Sequence, residues 1–176
     1  MRGHVILVDN HDNEIGTMPK LEAHRKGVLH RAFSIFIFNS KNELLLQQRA
    51  FDKYHSGGLW SNTCCSHPLP KEITLHAAKR RLREEMGINV HLKYIYSFIY
   101  KAKVDNELSE HEFDHVFLGC SDEDPTPEVT EVANWKYISL PLLLNDIKKD
   151  PKPYTVWFII CINEILERAL NNFLKQ

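Results

Sequence analysis

Six segments rich in β-branched, aromatic or aliphatic residues stand at about 4–9, 32–38, 43–49, 90–103, 111–119 and 134–139, each bounded by turn formers. Helix-like stretches fall at about 74–86, 140–148 and 154–174, so strands and helices do not alternate as a regular βαβ repeat. That order points to an α+β fold, a sandwich in which a mixed β-sheet lies between helices. The first helix runs into Gly87, a natural C-terminal stop, and the last is apolar over most of its first half. Apart from the break Asp122-Glu123-Asp124-Pro125-Thr126-Pro127 there is no linker, repeat or low-complexity tract, and residues 1–176 are expected to form one domain.

With 43% hydrophobic residues in 176, the chain can bury a sizeable core. Its 22 basic and 23 acidic side chains leave a net charge of −1 and no long-range field to gather nucleic acid or anionic lipid, so neither partner is expected. Cys64, Cys65, Cys120 and Cys161 show neither a disulfide framework nor a paired C-x-x-C knuckle and read as reduced thiols. Met1-Arg2-Gly3-His4 runs straight into strand-like Val5-Ile6-Leu7-Val8, without the pattern of a signal peptide, and the apolar run Val156 to Ile162 is too short to span a bilayer. A cytoplasmic location is the expectation.

Chemistry concentrates in a few places. Cys65 precedes His67 in Asn62-Thr63-Cys64-Cys65-Ser66-His67-Pro68, a thiol beside an imidazole, which suits metal-assisted proton chemistry. On the helix at 74–86 the apolar stripe is Leu75, Ala78, Leu82 and Met86; Glu85 lies at its edge and Glu84 points away. Arg81 stands four residues before Glu85, so an ordinary helical ion pair competes with a metal role for that carboxylate. Near residue 110, Glu110, Glu112 and Asp114 share one strand face, with His111, Phe113, His115 and Phe117 on the other. Two such glutamates repel unless a cation lies between them or the face is wet. The continuation Val116-Phe117-Leu118 argues that the strand enters the core, which favours the cation. His24, His30 and His67 would complete a nitrogen and oxygen set for Zn²⁺ or Mn²⁺, although no short H-E-x-x-H signature accompanies it. Lys20, Arg49, Lys53 and Arg81 are each unremarkable as surface charges but together could clamp a diphosphate.

In this order the residues resemble the Nudix superfamily and, within it, the type 1 isopentenyl-diphosphate delta-isomerases. The Nudix box G-x5-E-x7-R-E-U-x-E-E-x-G-U is met here by Ser66, Glu72, Arg80, Arg81, Leu82, Arg83, Glu84, Glu85, Met86, Gly87 and Ile88. Ser66 replaces the first glycine, and Arg81 replaces a glutamate that helps hold magnesium in the hydrolases of the superfamily. The isomerase likeness spans nearly the whole chain, through Lys20 to His24, Leu29 to Ser34, Gln48-Arg49-Ala50, Leu59 to Asn62, Cys65 to Pro68, Glu110-His111-Glu112 and Trp157.

The resemblance implies a Nudix-type α/β/α sandwich that isomerises isopentenyl diphosphate to dimethylallyl diphosphate in isoprenoid biosynthesis, by protonation and deprotonation through a carbocation-like state. It implies one divalent metal, Mn²⁺ or Zn²⁺, on His24, His30, His67, Glu110 and Glu112. A second, Mg²⁺, would be held by Glu85 and the main-chain carbonyl of Cys65 against the diphosphate. Lys20, Arg49, Lys53 and Arg81 match positions that contact the diphosphate, Cys65 and Glu112 the acid/base pair, Tyr100 a hydroxyl near the reacting carbon, and Trp157 an aromatic wall. The implied partner is a small isoprenoid diphosphate, and the chain would act as a monomer or weak homodimer. A Nudix diphosphohydrolase and a catalytically silent metal-binding module are the competing readings.

Overall fold

The computed structural model describes residues 3–168, so the expected helix positions 169–174 lie outside the described residues. In chain order the elements are β1 (His4–Val8), β2 (Glu14–Pro19), α1 (Lys20–Lys26), β3 (His30–Phe38), β4 (Glu43–Arg49), β5 (Trp60–Ser61) and β6 (Cys64–Ser66). There follow α2 (Thr74–Met86), β7 (Lys93–Lys103), β8 (Ser109–Cys120), β9 (Val132–Ser139), α3 (Leu140–Lys149) and α4 (Val156–Arg168).

The sheet is built around β3, whose sequence His-Arg-Ala-Phe-Ser-Ile-Phe-Ile-Phe is buried at every position except Arg31. One edge of β3 runs parallel to β8, in register from His30 opposite Glu112 to Phe38 opposite Cys120. The other edge is shared antiparallel by β1 at its start, β6 in its middle and β4 at its end. The antiparallel pairs of β7 with β8, β9 with β4 and β2 with β1 extend the sheet. A strand buried on both faces must be apolar on both, which is why β3 reads as a continuous hydrophobic run.

Alternation then divides the core into two layers. Phe36 and Phe38 of β3, Leu44 and Leu46 of β4, and Val116 and Leu118 of β8 pack with Leu143 of α3 and Phe158, Cys161 and Ile162 of α4. Phe33, Ile35, Ile37, Leu45 and Phe117 pack against Ala77, Ala78, Leu82 and Met86 of α2. This is the expected α/β/α sandwich. Among the described residues no helix is long and apolar enough to cross a membrane.

The helix expected at 74–86 and the strand expected at 43–49 form with those bounds. The strand expected from 90 begins only at Lys93, because Ile88 and Leu92 are buried in the α2 layer from irregular chain. The short elements β2, α1, β5 and β6 were not expected; with two to seven residues they carry too little periodicity to stand out.

Helix α2 ends where Gly87 adopts φ 70°, its N–H donating to the Arg83 carbonyl. The loop after β8 covers the remaining end, with Thr126 N–H donating to Met86 O (2.9 Å) and Glu128 N–H to Glu85 O (3.0 Å). These bonds satisfy carbonyls that a helix terminus otherwise leaves orphaned. A β-carbon at position 87 would fall 2.0 Å from Thr126 Oγ1 and 2.8 Å from the Thr126 carbonyl oxygen. We therefore predict that Gly87→Ala destabilises the protein by at least about 1–2 kcal/mol, the cost of a left-handed L-residue, before the collision is added. Urea unfolding would read this as a lowered midpoint, and an unchanged midpoint would refute it.

Candidate active site

Strand β8 brings Glu110, Glu112 and Asp114 to the α4 side of the sheet, where they are 4%, 8% and 0% exposed, so this face is not wet. The parallel register sets His30 beside Glu112, and the antiparallel register sets Tyr100 of β7 on its other side. Helix α1 adds His24 from its last turn, and the chain leaving β6 adds His67. Ligand atoms of His24, His30, His67, Glu110 and Glu112 all lie within 4.8 Å of one another. His67 Nε2 is 2.8 Å and His30 Nε2 3.6 Å from Glu112 Oε1, and His24 Nε2 is 3.4 Å from Glu110 Oε2.

Three observations say that this set fits a divalent cation. His24 Nε2, His30 Nε2 and Glu110 Oε2 are buried and carry no hydrogen bond, a costly arrangement unless something else satisfies them. His30 Nδ1 donates to the Val28 carbonyl (2.8 Å), which leaves Nε2 to offer its lone pair. Burial, then His67 and Lys20, push the His24 pKa down to about 2; burial, then Lys20, push that of His67 down to about 3. Both rings are therefore neutral, the ligating form.

The two glutamates divide their charge unequally. Burial, then the charge of Glu112, pushes the Glu110 carboxyl well above the usual range. Burial pushes Glu112 the same way, but the adjacent His30 and His67 rings, His67 at hydrogen-bond distance (2.8 Å), outweigh it and hold Glu112 well below that range. The Tyr100 hydroxyl donates to Glu112 Oε2 at 2.5 Å, and burial followed by Glu112 pushes the phenol up, so it keeps its proton.

Above this cluster opens a narrow cleft lined among others by Lys20, Arg49, Cys65 and Trp157. Burial, only partly offset by Arg49, pushes the Cys65 pKa up to about 12, so the group is a thiol at neutral pH. Trp157 is held in place from two directions. The backbone of Trp60 accepts from Thr155 N–H (2.9 Å) and donates to Pro153 O (2.8 Å), which seats the start of α4 beside β5. The Trp157 indole N–H donates to Ser61 Oγ (3.0 Å), and the Arg49 guanidinium lies 5.2 Å from the indole ring centre.

The remaining expected residues lie elsewhere. Period-two alternation sends the neighbouring cysteines of β6 to opposite layers, Cys65 toward α4 and Cys64 toward α2. Glu85 is on the α2 side, 5% exposed, gripped by Arg81 (2.6 Å) and by Gln47 Nε2 (3.0 Å), and it is not a member of the histidine cluster. Arg81 also pairs with Glu84 and Glu131, and it borders a second groove that shares Lys20, Ser66 and His67 with the cleft. Lys53 does not line the cleft; its ammonium pairs with Glu131 at 2.6 Å.

Sequence reasoning missed Tyr54, whose hydroxyl meets His24 Nδ1 at 3.0 Å, and His55, whose Nε2 lies 3.2 Å from Glu110 Oε1. It also missed Gln47. The only signal was the density of aromatic and imidazole groups in Lys53-Tyr54-His55 immediately after Arg49.

Residues 28–158 match the family model of the NUDIX domain. The chain is 51% identical over 172 residues to isopentenyl-diphosphate Delta-isomerase 2 of Aromatoleum aromaticum, covering 97% of this chain and 91% of that protein. It is 53% identical to isopentenyl-diphosphate Delta-isomerase 1 of the same organism, covering 94% of each. To the isopentenyl-diphosphate Delta-isomerase of Serratia proteamaculans it is 48% identical, covering 92% of this chain and 90% of that one. Among solved structures, DR0079 of Deinococcus radiodurans superimposes with a TM-score of 0.71 over 84% of this chain and 90% of its own, at 19% identity. That last likeness speaks for the fold alone.

In the metal-free protein Glu110 holds a proton, whereas a ligating carboxylate must be ionised, and His24 and His67 are neutral already. Binding of a divalent ion should therefore expel a proton. Affinity should rise about tenfold per pH unit up to the raised pKa of Glu110 and level off above it. Calorimetry in buffers of different ionisation enthalpy reads that proton directly, and binding without proton release would contradict the assignment.

Proposed function

The chain belongs to the NUDIX family and, within it, to the isopentenyl-diphosphate Delta-isomerases, and from that premise we propose how its own residues move the double bond. The reaction converts isopentenyl diphosphate to dimethylallyl diphosphate in isoprenoid biosynthesis. A proton must be added to the terminal methylene carbon and another removed from the methylene carbon nearer the diphosphate, with a tertiary carbocation-like state between. An unactivated alkene is a weak base, so the acid has to be held dry and aimed.

One observation carries the reading. The Cys65 thiol and the Glu112 carboxylate with its Tyr100 hydroxyl line the same small cleft, directly above a divalent-ion cluster. One of the pair delivers a proton while the other receives one, and their roles exchange in the reverse direction. Tyr100 stands ready as the relay on the Glu112 side. The Trp157 ring face would stabilise the developing cation by about 0.5–2 kcal/mol. A divalent ion on His24, His30, His67, Glu110 and Glu112, Zn²⁺ or Mn²⁺ by its donor set, would polarise the Glu112 carboxyl.

Lys20 and Arg49, with Arg81 and Ser66 bordering the adjoining groove, would hold the diphosphate, and Glu85 with the Cys65 carbonyl would take Mg²⁺. Lys53 would join them only by releasing Glu131. Residues 1–176 would act as one catalytic unit, as a monomer or weak homodimer, and four unpaired cysteines fit a reducing cytoplasm.

Cys65→Ala and Glu112→Gln should each lower turnover by about 10²–10⁴-fold, the usual weight of a positioned acid or base. The measurement is conversion of isopentenyl diphosphate with Mg²⁺ in heavy water, following dimethylallyl diphosphate and deuterium uptake. Near-normal turnover in both variants would sink the assignment of this pair, and release of phosphate in place of isomerisation would favour a hydrolase.

A further inference from the structure

His55 belongs to no motif, yet it is 3% exposed and lines the cleft between Trp157 and Glu110. Its ring stands edge-on to Tyr54 (4.5 Å, 86°) and to Trp157 (5.6 Å, 85°), so it has little freedom to turn. Nε2 lies 3.2 Å from Glu110 Oε1, and Nδ1 lies 3.3 Å from Ser56 Oγ. Ser56 is pinned in turn. Its N–H donates to both oxygens of Asp105 (3.0 and 2.9 Å), and its hydroxyl also donates to Asp105 Oδ1 (3.2 Å). Asn106 Nδ2 donates to the Tyr54 carbonyl (2.8 Å), so the turn between β7 and β8 grips residues 54–56 at two points.

From this geometry we infer that His55 is a positioning residue for Glu110, holding Oε1 so that Oε2 faces the histidines. This rests on the divalent-ion reading of the cluster. Glu110 Oε2 is the oxygen that is buried without a hydrogen bond and lies 3.4 Å from His24 Nε2; Oε1 is the one His55 occupies. The hydrogen can be placed by elimination. An ionised, ligating carboxylate only accepts, so His55 Nε2 must carry a hydrogen. Nδ1 of the neutral ring then accepts, which requires the Ser56 hydroxyl, 3.3 Å away, to turn from Asp105 to His55. Ser56 can turn its hydroxyl inward because its backbone N–H alone keeps it on Asp105. An ionised Glu110 thereby selects the tautomer of His55, and the anchored segment Asp105–Ser56–His55 fixes the ring that orients Glu110. A hinge of aromatic packing alone would need none of these polar contacts.

The test is affinity for Zn²⁺ and, separately, Mn²⁺, by competition with a chelator, on full-length wild-type, His55→Leu and His55→Gln proteins. His55→Leu, which removes the donor, should weaken binding by about 10–100-fold, the usual cost of losing a partner behind a metal ligand. His55→Gln, which keeps an N–H near the Nε2 position, should recover most of that loss. Equal affinity of wild-type and His55→Leu overturns the inference but leaves the cluster standing, and so does a His55→Gln protein as weak as His55→Leu. A folded wild-type protein that binds neither ion overturns the cluster and the inference together. Should a variant fail to fold, imidazole nitrogen NMR of Zn²⁺-loaded wild-type protein decides. A hydrogen on His55 Nε2 supports the inference, and one on Nδ1 overturns it.

Discussion

Two carboxylates on the same face of a buried strand cannot both be ionised without a cation nearby, and the architecture around β8 follows from that constraint. Glu110 and Glu112 lie among three imidazoles, with a phenol on Glu112 and a fourth imidazole on Glu110. Left alone, the pair places its charge on Glu112, which the His30 and His67 rings hold low, while burial and the Glu112 charge push Glu110 up. Supplying a divalent ion turns the electrostatic cost of the second charge into binding energy. The same desolvation makes an acid/base pair here more forceful than it would be in water.

The sheet contributes by keeping its two sides distinct. Cys64 and Cys65 are neighbours in sequence, but strand alternation places one against α2 and the other over the cleft. Glu85 and the imidazole cluster are thus separated by the thickness of β6, with the backbone of that strand between them. Cys65 is on the cleft side, where burial keeps its sulfur protonated.

Much of this was legible in the sequence where a period existed to be read. The alternation of Glu110, Glu112 and Asp114 against His111, Phe113 and His115 fixed which side chains share a face, and burial of that face matches the apolar continuation into Val116-Phe117-Leu118. His24 was different. It sits on a helix of seven residues with no capping side chain, and it stood out only as one of three histidines, with no short signature to tie it to Glu110. His55 escaped notice because residues 50–58 have no regular structure, and its anchor, Asp105, is 49 positions from Ser56. Lys53 marks the opposite limit: residue type identified a cation, but not that Glu131 would claim it.

The degenerate box shows how one substitution can redirect a scaffold. Arg80 still clasps Glu72 through two nitrogens (2.8 Å each), an ion pair that ties the loop before α2 to the helix. At the next position Arg81 reaches Glu85 at 2.6 Å and Glu84 at 2.8 Å, so two acidic groups of the box are already answered by a protein cation. A phosphoanhydride is cleaved by gathering positive charge where the leaving phosphate develops its own negative charge. With Arg81 neutralising the carboxylates that would otherwise collect metal ions, fewer ions can assemble at that end of the groove. In the proposed reaction the chemistry belongs to the other face of the sheet, where the Cys65 thiol and the Glu112 carboxylate line one cleft.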